Sequence, residues 1–463
     1  MKTDRSDASG WPSALTWAQT EFGAAALPDR RLRARLVKIA AAFMAQPTQS
    51  IPQACGARSQ AKAAYRFFAN ECVQPAALLQ SHLEQTLGRA AAHPLVLVAQ
   101  DTTSLSYGPR PGLGLVGGAQ TDGLWLHTSM ALTPQGCALG LVSVEHWTRP
   151  LADLGKARRR HVRAQADKES QRWLNSFSAC VQFAAGLPAG ARVINLADRE
   201  GDIYGLFALA AKHPQVGALV RARHDRPSVE GKKLGQILAA LEPAGRLSIQ
   251  VPRRPGQKAR PAELEVRFAR VQVAPPTRAA DQGSLCLRVI EARETSDAKT
   301  AAPIHWRLLT NLPVETLEGA LELIGHYRVR WQMEEYHRAL KSGCQAQGRQ
   351  LEAAERLEKI LMVDLVVAWR VLELSRLARG PSLPPLEEHF SAEELAVLGQ
   401  LDAPPNGPAA PPRDLRQAVR RIAQLGGFLG RKSDGEPGAM TLWRGLERLS
   451  TLVLGWQLAK ACG

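Results

Sequence analysis

Paired cysteines are missing from this 463-residue chain. Its seven cysteines (Cys55, Cys72, Cys137, Cys180, Cys286, Cys344 and Cys462) are scattered, odd in number and never in a C-x-x-C pair. That pattern supports neither a disulfide frame nor a zinc site, and it fits a reducing cytosol. Long apolar runs are missing too. No stretch reaches 18 apolar residues, so no membrane span is expected. The start, "MKTDRSDASGWPSALTWAQ", has no apolar run behind its charges, so no secretory leader is expected. Neither an internal repeat nor a long heptad pattern is present. Acidic residues are in deficit: 43 Asp and Glu against 59 Lys and Arg give a net charge of +16. The basic residues cluster, as in "RRLRARLVK" (Arg30 to Lys38) and "KARRRHVR" (Lys156 to Arg163). Such a surplus suits a polyanionic partner, because neutralising phosphates releases counterions.

What is present divides by texture. Residues 14–92 read as helices: "DRRLRARLVKIAAAFMAQP" has helical apolar spacing, Asp29 as N-cap and Pro47 as terminator. Arg58, Lys62 and Arg66 sit where a small helical module could present them to DNA; each reads equally well as a solubilising surface charge. The texture changes at "HPLVLVAQDTTSLSY". Leu95 to Ala99 is a continuous apolar run, the mark of a strand buried on both faces, and the strand breaks at Asp101. A second buried strand, "ARVINLADREGDIY", breaks at Asp198 and enters a helix. Residues 224–303 alternate and carry Pro, Gly and Arg, which reads as an antiparallel β insertion. Helical texture then runs from about Leu317, and Pro-rich breaks precede a last amphipathic helix, "LWRGLERLSTLVLGWQLAKA".

One stretch stands apart from ordinary helix surface: "YRVRWQMEEYHRALK". On a regular helix Tyr327, Arg330, Glu334 and Lys341 fall at about 0°, 300°, 340° and 320°, one stripe about 60° wide. A lone carboxylate between two cations and a phenol suits a metal held beside a phosphate. Asp101, Asp198 and Glu334 therefore form a strand–strand–helix set of acids, the arrangement by which ribonuclease-H-like folds hold two divalent cations about 4 Å apart. All candidate ligands are oxygens, so Mg²⁺ is expected. Singly, each acid is weak evidence: an Asp after a strand is more often a turn or helix cap. His127 and His146 read as structural histidines, Glu200 and Asp202 as caps of the helix after Asp198, and "GLGLVGG" (Gly112 to Gly118) lacks what a nucleotide loop needs.

The pattern Y-x-x-R-x-x-x-E-x-x-x-x-x-x-K, with "DTTSLSY" and "DREGDIY" before it at full-length spacing, resembles the IS-four family of DDE transposases. The resemblance implies an α/β fold with a ribonuclease-H-like catalytic core over 93–375, including the β insertion. It also implies an N-terminal helical DNA-end-binding domain (1–92) and a C-terminal helical dimerisation domain (376–463). It implies that Asp101, Asp198 and Glu334 hold two Mg²⁺ ions (Mn²⁺ substituting), that Tyr327, Arg330 and Lys341 grip the DNA end, that Trp306 stacks on a flipped base, and that Arg221 contacts DNA. The expected activity is cut-and-paste transposition through a DNA hairpin, by a cytoplasmic, nucleoid-associated homodimer acting on double-stranded transposon ends and target DNA. A nuclease without strand transfer, and a non-catalytic end-binding protein, are the alternatives. On this reading the last helix, with Leu442, Leu446, Leu449, Leu452, Val453 and Trp456 along one face, pairs two copies and can be deleted from Leu442 onward without unfolding the rest.

Overall fold

A computed structural model describes residues 12–117, 121–149, 170–251, 259–295, 303–380, 383–401, 410–431 and 434–462. The basic cluster Lys156 to Arg163 lies outside them.

The chain opens with five helices, α1 (Pro12–Phe22), α2 (Arg30–Ala45), α3 (Ile51–Cys55), α4 (Arg58–Ala69) and α5 (Pro75–Ala90). The Asp29 side chain accepts from the Arg31 backbone N–H at 2.7 Å, so α2 starts at the expected cap. Strands β1 (Leu95–Ser106), β2 (Gly114–Val116), β3 (Thr121–Leu132) and β4 (Ala138–Trp147) follow. Then come α6 (Gln171–Ala185), β5 (Arg192–Ala197), α7 (Tyr204–Lys212), β6 (Val216–Arg221) and α8 (Leu234–Ala239). Strands β7 (Gly245–Val251), β8 (Arg260–Val273), β9 (Leu285–Glu294) and β10 (His305–Thr310) complete one mixed sheet, in the order β2-β3-β1-β5-β6-β10-β9-β8-β7 with β4 on β3.

Parallel pairing is confined to β1, β5 and β6. Both faces of these strands are covered, which is why Leu95 to Ala99 and, apart from Asn195, Val193 to Ala197 are apolar without alternation. One apolar cluster packs on the side of α6, α7 and α8; the larger one lies on the other face and runs from α1 to the last helix. The antiparallel strands read in residues 224–303 are present, yet they do not stand apart. β9 pairs with β10 from His305↔Arg293 to Thr310↔Arg288, so β7–β9 extend the main sheet.

After the sheet come α9 (Leu317–Val329), α10 (Gln332–Arg338) and a wide π turn at Ala339–Gly343, then α11 (Ala354–Leu377), α12 (Ala392–Leu401), α13 (Leu415–Leu425) and α14 (Ala439–Cys462). The single regular helix expected through Tyr327 to Lys341 is therefore interrupted twice. Arg330 and Trp331 are wound tightly (ψ −27° and −20°), and the π turn then unwinds the chain around Lys341.

The N-terminal helices are tied to the body by buried polar contacts. His82 accepts the Leu141 N–H on Nε2 (3.1 Å), so its Nδ1–H donates to Glu21 (2.6 Å), which also receives Arg89 (2.7 Å). Arg349 clasps Asp364 and donates to the Gln49 carbonyl, both at 2.9 Å.

The last helix departs from the expectation. Leu442, Trp443, Leu446, Leu449 and Val453 are buried in the protein's own core, while Leu452 is exposed together with Leu454 and Leu458. The apolar stripe is satisfied within one chain because Gly426 and Gly445 let α13 and α14 touch backbone to backbone. A Cβ at either would collide with a carbonyl, that of Thr441 or Ile422 respectively. No helix among the described residues is long and apolar enough to cross a membrane.

Candidate active site

β1 and β5 are parallel neighbours with Ala99 opposite Leu196. Two steps further in the same register set Asp101 beside Asp198, at the ends where both apolar runs stop. Across β1 on its other side, Asp101 is the partner of Thr128 on β3. Glu334 is delivered from α10, and Arg330 spans the gap: its guanidinium lies 3.3 Å from Asp101 and 2.9 Å from Glu334.

The electrostatics report how close these groups stand. The Asp101 carboxyl is pushed up to about 6, first by burial; Asp198 and Glu334 add to the rise while Arg330 and the Thr102 N–H oppose it. For Arg330, burial pulls downward, but the Tyr327 phenol and the three acids outweigh it and its pKa is raised. Burial raises Tyr327, against the pull of Arg330 and Arg221. Lys341 is lowered by burial, partly offset by Asp101, so the π turn brings the ammonium back toward Asp101. Arg221 is also lowered by burial and feels Tyr327, Arg199, Arg330 and Asp198; it donates to the His305 carbonyl at 3.2 Å.

Asp101, Asp198, Glu334, Tyr327, Arg330, Lys341 and Arg221 thus share one site. Trp306 lies on the same sheet face, two residues from Leu308, the partner of Arg221. It is half-buried against the larger apolar cluster, so part of the indole serves the core. Arg58 and Lys62 are elsewhere. They line a surface groove with Tyr65 and Arg66 from α4 and Arg356 from the start of α11. Among the described residues, no three His, Cys, Asp or Glu side chains already stand at metal-holding distances. Asp101, Asp198 and Glu334 nevertheless offer only carboxylate oxygens, the donors that Mg²⁺ takes, and their crowding is what a divalent cation would relieve.

His127 is fully satisfied. Its Nε2–H donates to Gln100 (3.0 Å) and its Nδ1 accepts from Thr102 (2.8 Å), while Gln100 donates on to Asn195 (2.7 Å). Burial holds this imidazole neutral, down to about 3. The chain of bonds ties β1 to β5 just behind Asp101 and Asp198. Gln100 and Asn195 were readable as polar residues inside apolar strands; their partnership was not. His146 sits 3.6 Å from Glu358. The Gly112 to Gly118 stretch leads into β2, not a helix, with Gly118 outside the described residues. Asp202 needs correction. Asp198 itself caps the short turn Arg199–Gly201, accepting from the Glu200 N–H at 2.7 Å. Asp202 is buried and holds the loop after β6, accepting from the N–H groups of Arg223 (2.7 Å) and His224 (2.9 Å) and from the Arg226 guanidinium. Trp331, beside Arg330 at the helix break, is a large exposed aromatic at the rim of the site.

Residues 14–73, which span α1–α4, match the transposase DNA-binding family, and residues 366–463 match the transposase Tn5 dimerisation domain. Together the two matches support a Tn5-like transposase. Both matches flank the acidic site, which lies in the stretch between them. Among solved structures, the chain aligns with a cryo-EM structure of the piggyBac transposase synaptic complex with hairpin DNA. The TM-score is 0.39 at 7% identity, over 79% of this chain and 72% of that one, too low a likeness to bear on the assignment.

Proposed function

We propose that this transposase is a cut-and-paste enzyme with a ribonuclease-H-like core. It binds the ends of its own element, pairs them as a dimer, cleaves through a hairpin and joins the 3′ ends to target DNA. The observation that carries this reading is the convergence of Asp101, Asp198 and Glu334 around Arg330, flanked by Tyr327, Lys341 and Arg221. Two Mg²⁺ ions held by the three acids would activate the attacking hydroxyl and stabilise the leaving oxygen of the phosphodiester. Arg330, Lys341 and Arg221 orient the scissile strand by its phosphates, and the buried Tyr327 holds Arg330 in place. The test is incubation with Mg²⁺ and duplexes bearing the element's terminal repeats. Hairpins and strand-transfer products support the proposal. Simple cuts alone would make the protein a nuclease, and a bound but intact duplex would make it an end-binding protein.

Trp306 is proposed to stack on a base flipped out as the hairpin forms. Trp306→Ala should keep the first nick and slow hairpin formation roughly 5- to 150-fold, the equivalent of about 1–3 kcal/mol of base–aromatic stacking. Equal loss of both steps together with a lowered Tm would show a core tryptophan instead.

The groove on α4 is proposed to hold end DNA by its backbone. Arg58→Ala and Lys62→Ala should each weaken end binding and reduce the slope of log K against log salt by about 1, read by fluorescence anisotropy across a salt series. An unchanged slope in both variants would place the DNA elsewhere.

A further inference from the structure

Glu334 has to be aimed, and the helix that carries it is poorly equipped to aim itself. α10 is only seven residues long, with the tight Arg330–Trp331 link before it and the π turn behind it. Neither neighbour imposes a regular helical phase, so the rotation of α10 about its axis depends on side-chain anchors. Two are present. Tyr336 donates its hydroxyl to the Leu365 carbonyl of α11 at 3.0 Å. On the sheet side, His337 Nε2 lies 3.0 Å from the hydroxyl of Thr128. Thr128 is wholly buried and is the strand partner of Asp101. His337 follows Glu334 by three residues and so lies on the same side of the helix, one turn away. Burial, with Lys341, His127 and Arg330 nearby, holds its imidazole neutral, down to about 3. A neutral ring has one N–H and one bare nitrogen; with Nε2 as the bare one, the Thr128 hydroxyl donates to it.

We propose that His337 is a positioning residue: by accepting the Thr128 hydroxyl proton it locks α10 to β3, directly across from Asp101, and so sets the distance and angle between the Glu334 and Asp101 carboxylates. This rests on the reading of the three acids as holders of divalent cations. The lock is a hydrogen bond behind the acids, of the kind whose loss costs about 10- to 100-fold in metal affinity.

The experiment is Mn²⁺ binding to the full-length protein, counted by electron paramagnetic resonance of the free ion, beside thermal unfolding and DNA-end binding. Thr128→Val keeps shape and strand propensity but removes the donor. It should raise the Mn²⁺ dissociation constant about 10-fold and shift the Mg²⁺ requirement for cleavage by the same factor, with end binding unchanged. His337→Phe should do the same, and adding Thr128→Val to it should cost nothing further. His337→Gln, whose amide oxygen reaches the place of Nε2, should restore most of the affinity. Two outcomes overturn the proposal. One is a Thr128→Val protein that binds Mn²⁺ like the parent. The other is a loss in His337→Phe that tracks a lowered Tm and that Gln does not rescue. Glu334→Gln separates the two levels: if it loses Mn²⁺ while Thr128→Val does not, only the positioning role falls. If it keeps Mn²⁺, the reading of the acids falls as well.

Discussion

Asp101→Asn, Asp198→Asn and Glu334→Gln should each lower nicking and joining by more than about 10³-fold, roughly 4 kcal/mol in the barrier, while end binding in a gel shift stays within about twofold. The asymmetry follows from the division of labour. The acids carry the charge that would hold the cations, and the arginines and lysines, with the helices of residues 14–73, supply affinity for DNA. Asp101→Asn should also leave Tm equal to or above that of the parent. Its carboxyl is held up to about 6 by burial and by the two neighbouring acids, so the folded protein carries an unfavourable crowding of charge that the amide removes. A variant that keeps substantial cleavage in Mg²⁺ takes its residue out of the triad. A variant that loses both cleavage and several degrees of Tm is a folding lesion.

The second large effect lies at the C-terminus, where two truncations should behave differently. Deletion from Leu442 onward removes Leu442, Trp443, Leu446, Leu449 and Val453 from the core. At about 1.5–3 kcal/mol for each buried large side chain, this matches the whole margin of about 5–15 kcal/mol that keeps a domain folded. This protein should be recovered unfolded or aggregated. Deletion after Val453 removes the exposed Leu454 and Leu458 and the half-buried Trp456, and spares the fully buried residues of the helix. It should fold with a Tm near that of the parent, bind a single end, and fail to form a mixed complex on two ends of different length. A folded protein from the longer deletion would contradict the packing of α14. A mixed-length paired complex from the shorter one would place the dimer contact elsewhere.

Asp101 and Asp198 were legible because each ends a run of apolar residues, and a strand buried on both faces leaves that trace in sequence. Glu334 was legible through its cationic neighbours at helical spacing. The break at Arg330–Trp331 and the π turn were not, because the same residues suit a regular helix, and tertiary contacts decide the winding. The bond between His337 and Thr128 joins residues far apart in the chain, and no local pattern encodes it. Leu452 was placed on the buried face of α14 because a lone helix shows an apolar stripe but not its partners. α13 approaches closely at Gly426 and Gly445, and the covered stripe is turned toward Trp443 and away from Leu452. The extension of the sheet by β7–β9 depends on β10 pairing with both β6 and β9, again a non-local choice. Arg58 and Lys62 could be read as exposed; that Arg356 of α11 joins them in one groove could not.

Trp443 has one more neighbour of consequence. Its indole lies against Gly343, the last residue of the π turn, and a Cβ there would come within 2.0 Å of the ring. That turn follows Glu334 and holds Lys341. The helix at the end of the chain is therefore the outer wall of the loop that carries Lys341, with no soft layer between them. Interiors packed this tightly yield little to compression. In the proposed dimer, a push or twist that a second copy applied to α14 would reach Lys341 and Glu334 as displacement, so docking at one end of the molecule and alignment at the other would be mechanically one event.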